Sequence, residues 1–174
     1  MTFDEAVQYL LSLGHETLAI KLGLANVRRL LDALSRPEQS FPCVQIAGTN
    51  GKGSTAAMLD AMLRAASIRT GLYTSPHLVS ITERIRIDGR DIDRAEFARQ
   101  VSRVRQAALD LRDGAGAMPT FFEQVTAAAL CAFRDARVSL TVLETGLGGR
   151  LDATTAARAQ AVAVTPVALD HQEY

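Results

Sequence analysis

The sequence carries no excess of either charge, its 19 Lys+Arg balancing its 19 Asp+Glu. Its arginines are scattered rather than clustered, so the basic footprint of a nucleic-acid binder is missing and no nucleic-acid partner is expected. Cysteine is nearly absent. Cys43 and Cys131 lie far apart, one in a strand-like run and one in a helix-like run, and read as two buried thiols rather than a disulfide framework. No run of 18 uninterrupted apolar residues exists to span a membrane. The opening MTFDEAVQYLLSL has acids where a secretory signal has positive charge. These absences favour a cytoplasmic protein with no membrane partner. There is no internal repeat and no clean domain boundary. Lysine is scarce too, with only Lys21 and Lys52 against many arginines.

What is present is enough for one substantial core: 174 residues, 48% hydrophobic. Apolar spacing predicts amphipathic helices over 3–13 and 24–34, the second ended by Pro37, a short buried strand over 43–47, and a helix over 54–66 with Met58, Leu59, Met62 and Leu63 on one side. A second strand over 69–77 runs into a proline-marked turn. The alternation in 81–92, turning at Asp88-Gly89, suggests an exposed hairpin or ribbon. Residues 93–112 read as a charged helix, 113–119 as a loop, 121–133 as a helix, and 138–146 and 161–169 as strands. That order predicts an α/β fold: an open, mostly parallel nucleotide-binding sheet flanked by helices. The chain stops at VALDHQEY, directly after a strand-like run, which suggests a fragment or the first domain of a longer chain.

Between the first strand and its helix stands GTNGKGST, 48–55. Glycines let the chain turn tightly and aim N–H groups at a ligand, and a helix beginning there adds the positive end of its dipole. Lys52 offers a mobile charge to phosphate oxygens, and Ser54 or Thr55 a hydroxyl to magnesium. This is the chemistry of a P-loop. The spacing departs from the usual pattern, because Gly53 separates Lys52 from Ser54 and Ala47 stands where the first glycine is expected. The alternative is a structural turn with a solvated lysine.

IKLGL (20–24), AGTNGKGST (47–55), TSPHL (74–78), ERIRIDG (83–89), TFFEQVTAAAL (120–130), LETGLGGRLDAT (143–154) and LDH (169–171) occur in one order along almost the whole chain. In that set the sequence resembles the folylpolyglutamate synthase and dihydrofolate synthase family of the Mur ligase superfamily. The resemblance implies part of a Mur ligase ATP-binding domain over 41–174, with a helical segment, 1–40, packed on it. It further implies an ATP-dependent ligase that joins L-glutamate to dihydropteroate or folates through an acyl phosphate, assisted by Mg2+ and K+, and monomeric when full length. The remaining ATP contacts, a carbamylated lysine and a second domain would lie beyond Tyr174, leaving the fragment alone inactive.

By the same resemblance, Gly48, Thr49, Asn50, Gly51, Lys52, Gly53, Ser54 and Thr55 hold the nucleotide phosphates. Ser54, Ser75, Glu144 and His171 match positions near magnesium, and Lys52, Glu144 and His171 carry the catalytic chemistry. Thr120, Phe122, Asp152 and Ala153 match the pteroate region, with Phe122 stacking on a flat ring and Asp152 accepting a pterin N–H. The segment TSPHLVSITERIRI would form a flap over this site, placing Ser80 and Arg84 against the substrate. Each assignment has a plainer competitor. Glu144 could cap a helix or pair with Arg150, Ser75 could bond its own backbone, Phe122 could fill the core, and Arg84 could be solvated. Thr145 and Thr155 depart from the family pattern, where a small or apolar residue and an asparagine are usual. Competing functions are a cell-wall ligase of the same superfamily, which usually has a further domain ahead of the loop, and a non-catalytic nucleotide-binding module.

Overall fold

The computed structural model of the chain describes residues 1–14, 23–114 and 117–168. Helix α1 (Phe3–Ser12) begins at a capping box: the Thr2 hydroxyl accepts the N–H of Glu5, and the Glu5 carboxylate accepts that of Thr2. Helix α2 (Ala25–Ala33) buries Val27, Leu30 and Leu31, the 3–4 spacing of one face. Both join α4 (Arg94–Asp113) and α5 (Phe121–Asp135) in one apolar core, where Phe3 meets Phe97 edge to face at 5.7 Å between ring centroids.

Six strands form one sheet: β1 (Cys43–Ala47), β2 (Thr70–Tyr73), β3 (Ile85–Ile87), β4 (Arg90–Asp91), β5 (Leu140–Glu144) and β6 (Ala161–Val164). Their order is β4-β3-β2-β5-β1-β6; β2, β5, β1 and β6 pair in parallel, while β3 and β4 are antiparallel. The predicted hairpin therefore exists, but it is not a free ribbon. Its β3 strand pairs with β2 and extends the sheet.

Alternation along the strands divides the core. Ile46, Leu72 and Val142 face α3 (Lys52–Ala65) in a small cluster, whereas Cys43, Tyr73 and Leu143 face the larger α1, α2, α4 and α5 layer. Helix α3 starts two residues earlier than its apolar pattern suggested. Its inward side is Ala56, Leu59, Asp60 and Leu63, and Met58 and Met62 are exposed, so the predicted four-residue apolar side is split. Asp60 is satisfied inside by the Thr70 hydroxyl and by Arg64 at 2.9 Å. Both cysteines are free and buried, as their positions implied. Among the described residues no helix is long and apolar enough to cross a membrane.

Candidate phosphate and metal site

Strand β1 delivers the glycine-rich loop at its C-terminal end, beside the C-terminal ends of β5 and β2, which is where open α/β sheets bind ligands. Gly48 has φ +130, and a Cβ there would fall against Thr165, so only glycine lets the loop leave the strand in this direction. The amides of Thr49 and Asn50 both donate to the Pro166 carbonyl, at 3.1 and 3.3 Å. Those two N–H groups are taken by the segment that follows β6, which corrects the expectation that the whole loop cradles phosphate. The first turn of α3, with Lys52, Gly53 and Ser54, lacks helical partners for its N–H groups by geometry. Lys52 Nζ folds back on the loop, donating to the carbonyls of Gly48 (2.9 Å) and Thr49 (3.2 Å). Ser54, in the same first turn, is exposed, and Thr55 donates its N–H to the Gly51 carbonyl.

Glu144 ends β5 and is 5% exposed. Its Oε2 accepts the Ser75 N–H at 3.1 Å. Its other flank is Gly53: a Cβ on that glycine would lie 3.4 Å from Oε1 and 3.5 Å from Oε2. Three distant segments thus converge on one carboxylate, and pairing with Arg150 is not what holds it. Burial pushes the Glu144 pKa up, against the lowering effects of the Ser75 N–H and the nearby Lys52 charge. A buried carboxylate beside hydroxyl residues offers oxygen ligands of the kind magnesium takes alongside phosphate and water, while the helix amides suit phosphate oxygens. His171 lies outside the described residues.

Sequence comparison decides the family. A protein of Haloferax volcanii described as "Probable bifunctional folylpolyglutamate synthase/dihydropteroate synthase" is 46% identical over 171 residues, 98% of this chain and 20% of that protein. The Escherichia coli structure in complex with DHPP and ADP superposes with a TM-score of 0.88 at 36% identity, covering 100% of this chain and 40% of that one. This chain belongs to the folylpolyglutamate synthase/dihydrofolate synthase family. A Yersinia pestis bifunctional folylpolyglutamate synthase/dihydrofolate synthase complexed with AMPPNP and Mn has a TM-score of 0.84 at 36% identity, over 100% of this chain and 40% of that one. The chain spans about a fifth to two fifths of the length of these relatives. Its open, mostly parallel sheet flanked by helices is that of the Mur ligase ATP-binding domain. No family model matches the chain.

The turn after β5 meets the start of α5 and the loop 146–154. Thr120 caps α5, with its hydroxyl accepting the Glu123 N–H and its N–H donating to Glu123 at 2.7 Å. Phe122, half-buried, leans on Tyr73 with centroids 6.0 Å apart and fills the space over Gly146, where a Cβ would meet its ring at 2.6 Å. Phe122 thus packs between β2 and the turn after β5 rather than deep in the helical core, where Phe121 lies.

Asp152 departs from its expected role. Its Oδ2 accepts the N–H groups of Gly146 (2.8 Å) and Leu147 (3.0 Å), and its Oδ1 accepts the N–H and hydroxyl of Thr154. A carboxylate has about four lone-pair sites, and all are used within the loop, so Asp152 has none left for a pterin N–H. Burial pushes its pKa up, opposed by these donors. Ala153 is buried behind it at the start of a 3-10 turn, Ala153–Ala157. The departures from the family pattern serve the same loop: Thr145 donates to the Gly148 carbonyl, and Thr155 donates to the Gly149 carbonyl at 2.7 Å while accepting from Gln45.

The flap is better anchored than its sequence suggested. The Glu83 carboxylate accepts three successive N–H groups, from Leu78, Val79 and Ser80, at 3.0, 3.0 and 2.6 Å, and these bonds hold its pKa below the ordinary value. Leu78 and Val79 are each 91% exposed at the tip. Ser80 caps the following 3-10 turn, Ile81–Arg84. Arg84 is 2% exposed, stacks over Phe121 at 5.3 Å and donates to His77 Nδ1 at 2.8 Å, so the solvated alternative is ruled out and its guanidinium lies inside. Glu83 and Glu123 are the residues that the sequence reading missed. Each stands three residues after a capping hydroxyl, in SITE and TFFE, and that spacing was a readable signal.

Proposed function

We propose that the protein carrying this chain is an ATP-dependent ligase that joins L-glutamate to dihydropteroate and reduced folates. The observation that carries the reading is the Glu144 carboxylate, which is buried yet set against both the Ser75 N–H and the first turn of α3. A structural turn has no need of a desolvated acid at that place. In this reading Lys52 leaves the carbonyls of Gly48 and Thr49 for the β- and γ-phosphates, joined by the amides of Gly51, Lys52, Gly53 and Ser54. Glu144, with Ser54 and Ser75 and with His171 from outside the described residues, would hold magnesium; the bound ion neutralises phosphate charge. Potassium is proposed as a further cation on the family resemblance alone.

The chemistry follows from what an amide bond requires. A carboxylate has no leaving group that an amine can displace, so an acceptor carboxylate oxygen first attacks the γ-phosphorus of ATP, and the bond to ADP breaks. The amine of L-glutamate then attacks the acyl carbon, phosphate departs with the C–O bond, and the amine gives up a proton. Phosphoryl transfer of this kind rests on positioning and charge neutralisation. Phe122 would stack on the acceptor's ring, and Thr120 and Ala153 would line it. Asp152 acts as a positioning residue, holding the loop 146–154. Ser80 and Arg84 act through the flap, Arg84 by fixing His77. Residues 41–174 would form part of the ATP-binding domain with 1–40 packed on it, in a cytoplasmic, monomeric protein without nucleic-acid or membrane partners.

The test is ADP release by the full-length protein, dependent on ATP, magnesium and L-glutamate, with dihydropteroate and tetrahydrofolate as separate acceptors. Release with both, lost in Lys52→Ala and Glu144→Ala, is the expected result. Release with neither, but with a nucleotide-linked peptide precursor, would move the protein to the cell-wall branch. Nucleotide binding without any turnover would favour a non-catalytic module.

A further inference from the structure

Two consecutive side chains of α5 grip the Pro119–Thr120 peptide from both sides. Glu123 Oε2 accepts the Thr120 N–H at 2.7 Å, and Gln124 Nε2 donates to the carbonyl of buried Pro119 at 3.0 Å. The first grip is an ordinary capping box. The second is additional: the helical ladder begins at the Thr120 carbonyl, which accepts the Gln124 N–H at 3.0 Å, so the Pro119 carbonyl stands outside it. Gln124 is fully buried, at 0% exposure. A carbonyl can only accept, so Pro119 selects the NH2 end of the amide and leaves Oε1 to the Tyr9 hydroxyl of α1, which donates at 2.8 Å. Burial pushes the Tyr9 pKa up, opposed by the Gln124 bond and the Arg105 and Arg112 charges, and the hydroxyl stays a donor at neutral pH. A series of bonds thus runs from α1 to the peptide that aims two phenylalanines. Phe121 points inward under Arg84, and Phe122 lies on Tyr73 and Gly146. Successive helical residues differ by about 100° in direction, so a turn of that size at the start of α5 would misdirect both rings.

We propose that Gln124, held by Tyr9, is a positioning residue for the acceptor: by fixing the Pro119–Thr120 peptide it sets the direction in which Phe122 presents its ring to the substrate. The inference rests on the proposed ligase function, because it needs an acceptor at Phe122. It deepens that reading by giving α1 a part in acceptor recognition and none in nucleotide binding. The bonds that link Tyr9, Gln124 and Pro119 touch neither the glycine-rich loop nor Glu144.

The test is steady-state kinetics of the full-length protein, with KM for the acceptor (dihydropteroate, then tetrahydrofolate) and KM for ATP measured side by side. Gln124→Met keeps the side-chain length and removes both bonds, whereas Tyr9→Phe keeps the ring and removes only the donor. Gln124→Met should raise the acceptor KM about tenfold and Tyr9→Phe about threefold, with the KM for ATP within about twofold of wild type in both. A merely structural role would lower the folded fraction, and with it the maximal rate, and leave both KM values alone. Adding Gln124→Met to Phe122→Leu should raise the acceptor KM by less than about twofold further, since the ring to be positioned is gone. If Gln124→Met does not fold, Tyr9→Phe makes the same comparisons, alone and with Phe122→Leu. The inference is overturned if the folded variants keep the wild-type acceptor KM, if the KM for ATP rises in step with it, or if the effects at positions 124 and 122 multiply in full. Wild-type protein that turns over neither acceptor would overturn the ligase reading itself, and this inference with it.

Discussion

Replacing Gly53 by alanine separates a structural turn from a phosphate cradle, because the two readings predict opposite outcomes for one methyl group. Gly53 is the second residue of α3 and holds ordinary helical backbone, so alanine imposes no strain. The added Cβ would sit 3.4 Å from Glu144 Oε1, an ordinary contact that requires no movement. Helix propensity then favours the variant by about 0.5–1 kcal/mol, equivalent to a rise in Tm of about 1–4 °C for a chain of this length. The same methyl occupies the gap between the helix N-terminus and the carboxylate, where phosphate and its metal would have to lie. In the native protein, MgADP at a hundred times its Kd should add about 2.7 kcal/mol of stability. In Gly53→Ala that increment should shrink by at least about 1.4 kcal/mol, a tenfold loss of affinity. Thermal unfolding followed by circular dichroism, with and without MgADP, reads both numbers. An alanine variant that keeps the full MgADP shift would refute the placement of phosphate in this gap.

Three further outcomes are expected. Because burial holds the Glu144 pKa above its unfolded value, the group favours the native state at low pH and loses that contribution as pH rises through the native pKa; Glu144→Gln should therefore raise the metal-free Tm at pH 7 while abolishing turnover, and a lowered Tm would contradict the desolvation argument. Asp152→Asn places an amide among four donors and should cost about 3 kcal/mol in urea unfolding, with a raised KM for the acceptor; a neutral effect would mean the loop is held by other bonds. Burial pushes the thiols of Cys43 and Cys131 up to about 11, so a chromogenic thiol reagent at pH 8 should label neither in the folded protein and both after denaturation.

Much of the site was legible because its chemistry is local. The glycines and Lys52 lie within eight residues, and Glu144 closes a buried strand, so strand end, turn and helix start could all be read from spacing. Cross-chain satisfaction was not legible. Thr49 and Asn50 look like free loop amides until Pro166, more than a hundred residues later, takes both. Asp152 looks like a free acceptor until its own loop folds around it. Arg84 looks solvated until Phe121 and His77 enclose it.

The sequence alone determined the fold class, the element order and the position of the glycine-rich loop, since apolar period and glycine turns act over a few residues. It could not determine which side of α3 turns inward. Met58, Leu59, Met62 and Leu63 are equally apolar on paper, and in the fold Leu59 and Leu63 pack, partly buried, against Ile46, Leu72 and Val142 while both methionines stay in solvent. Only the tertiary structure decided which polar groups were already satisfied, because hydrogen-bond capacity is spent between segments that meet in space and not along the chain.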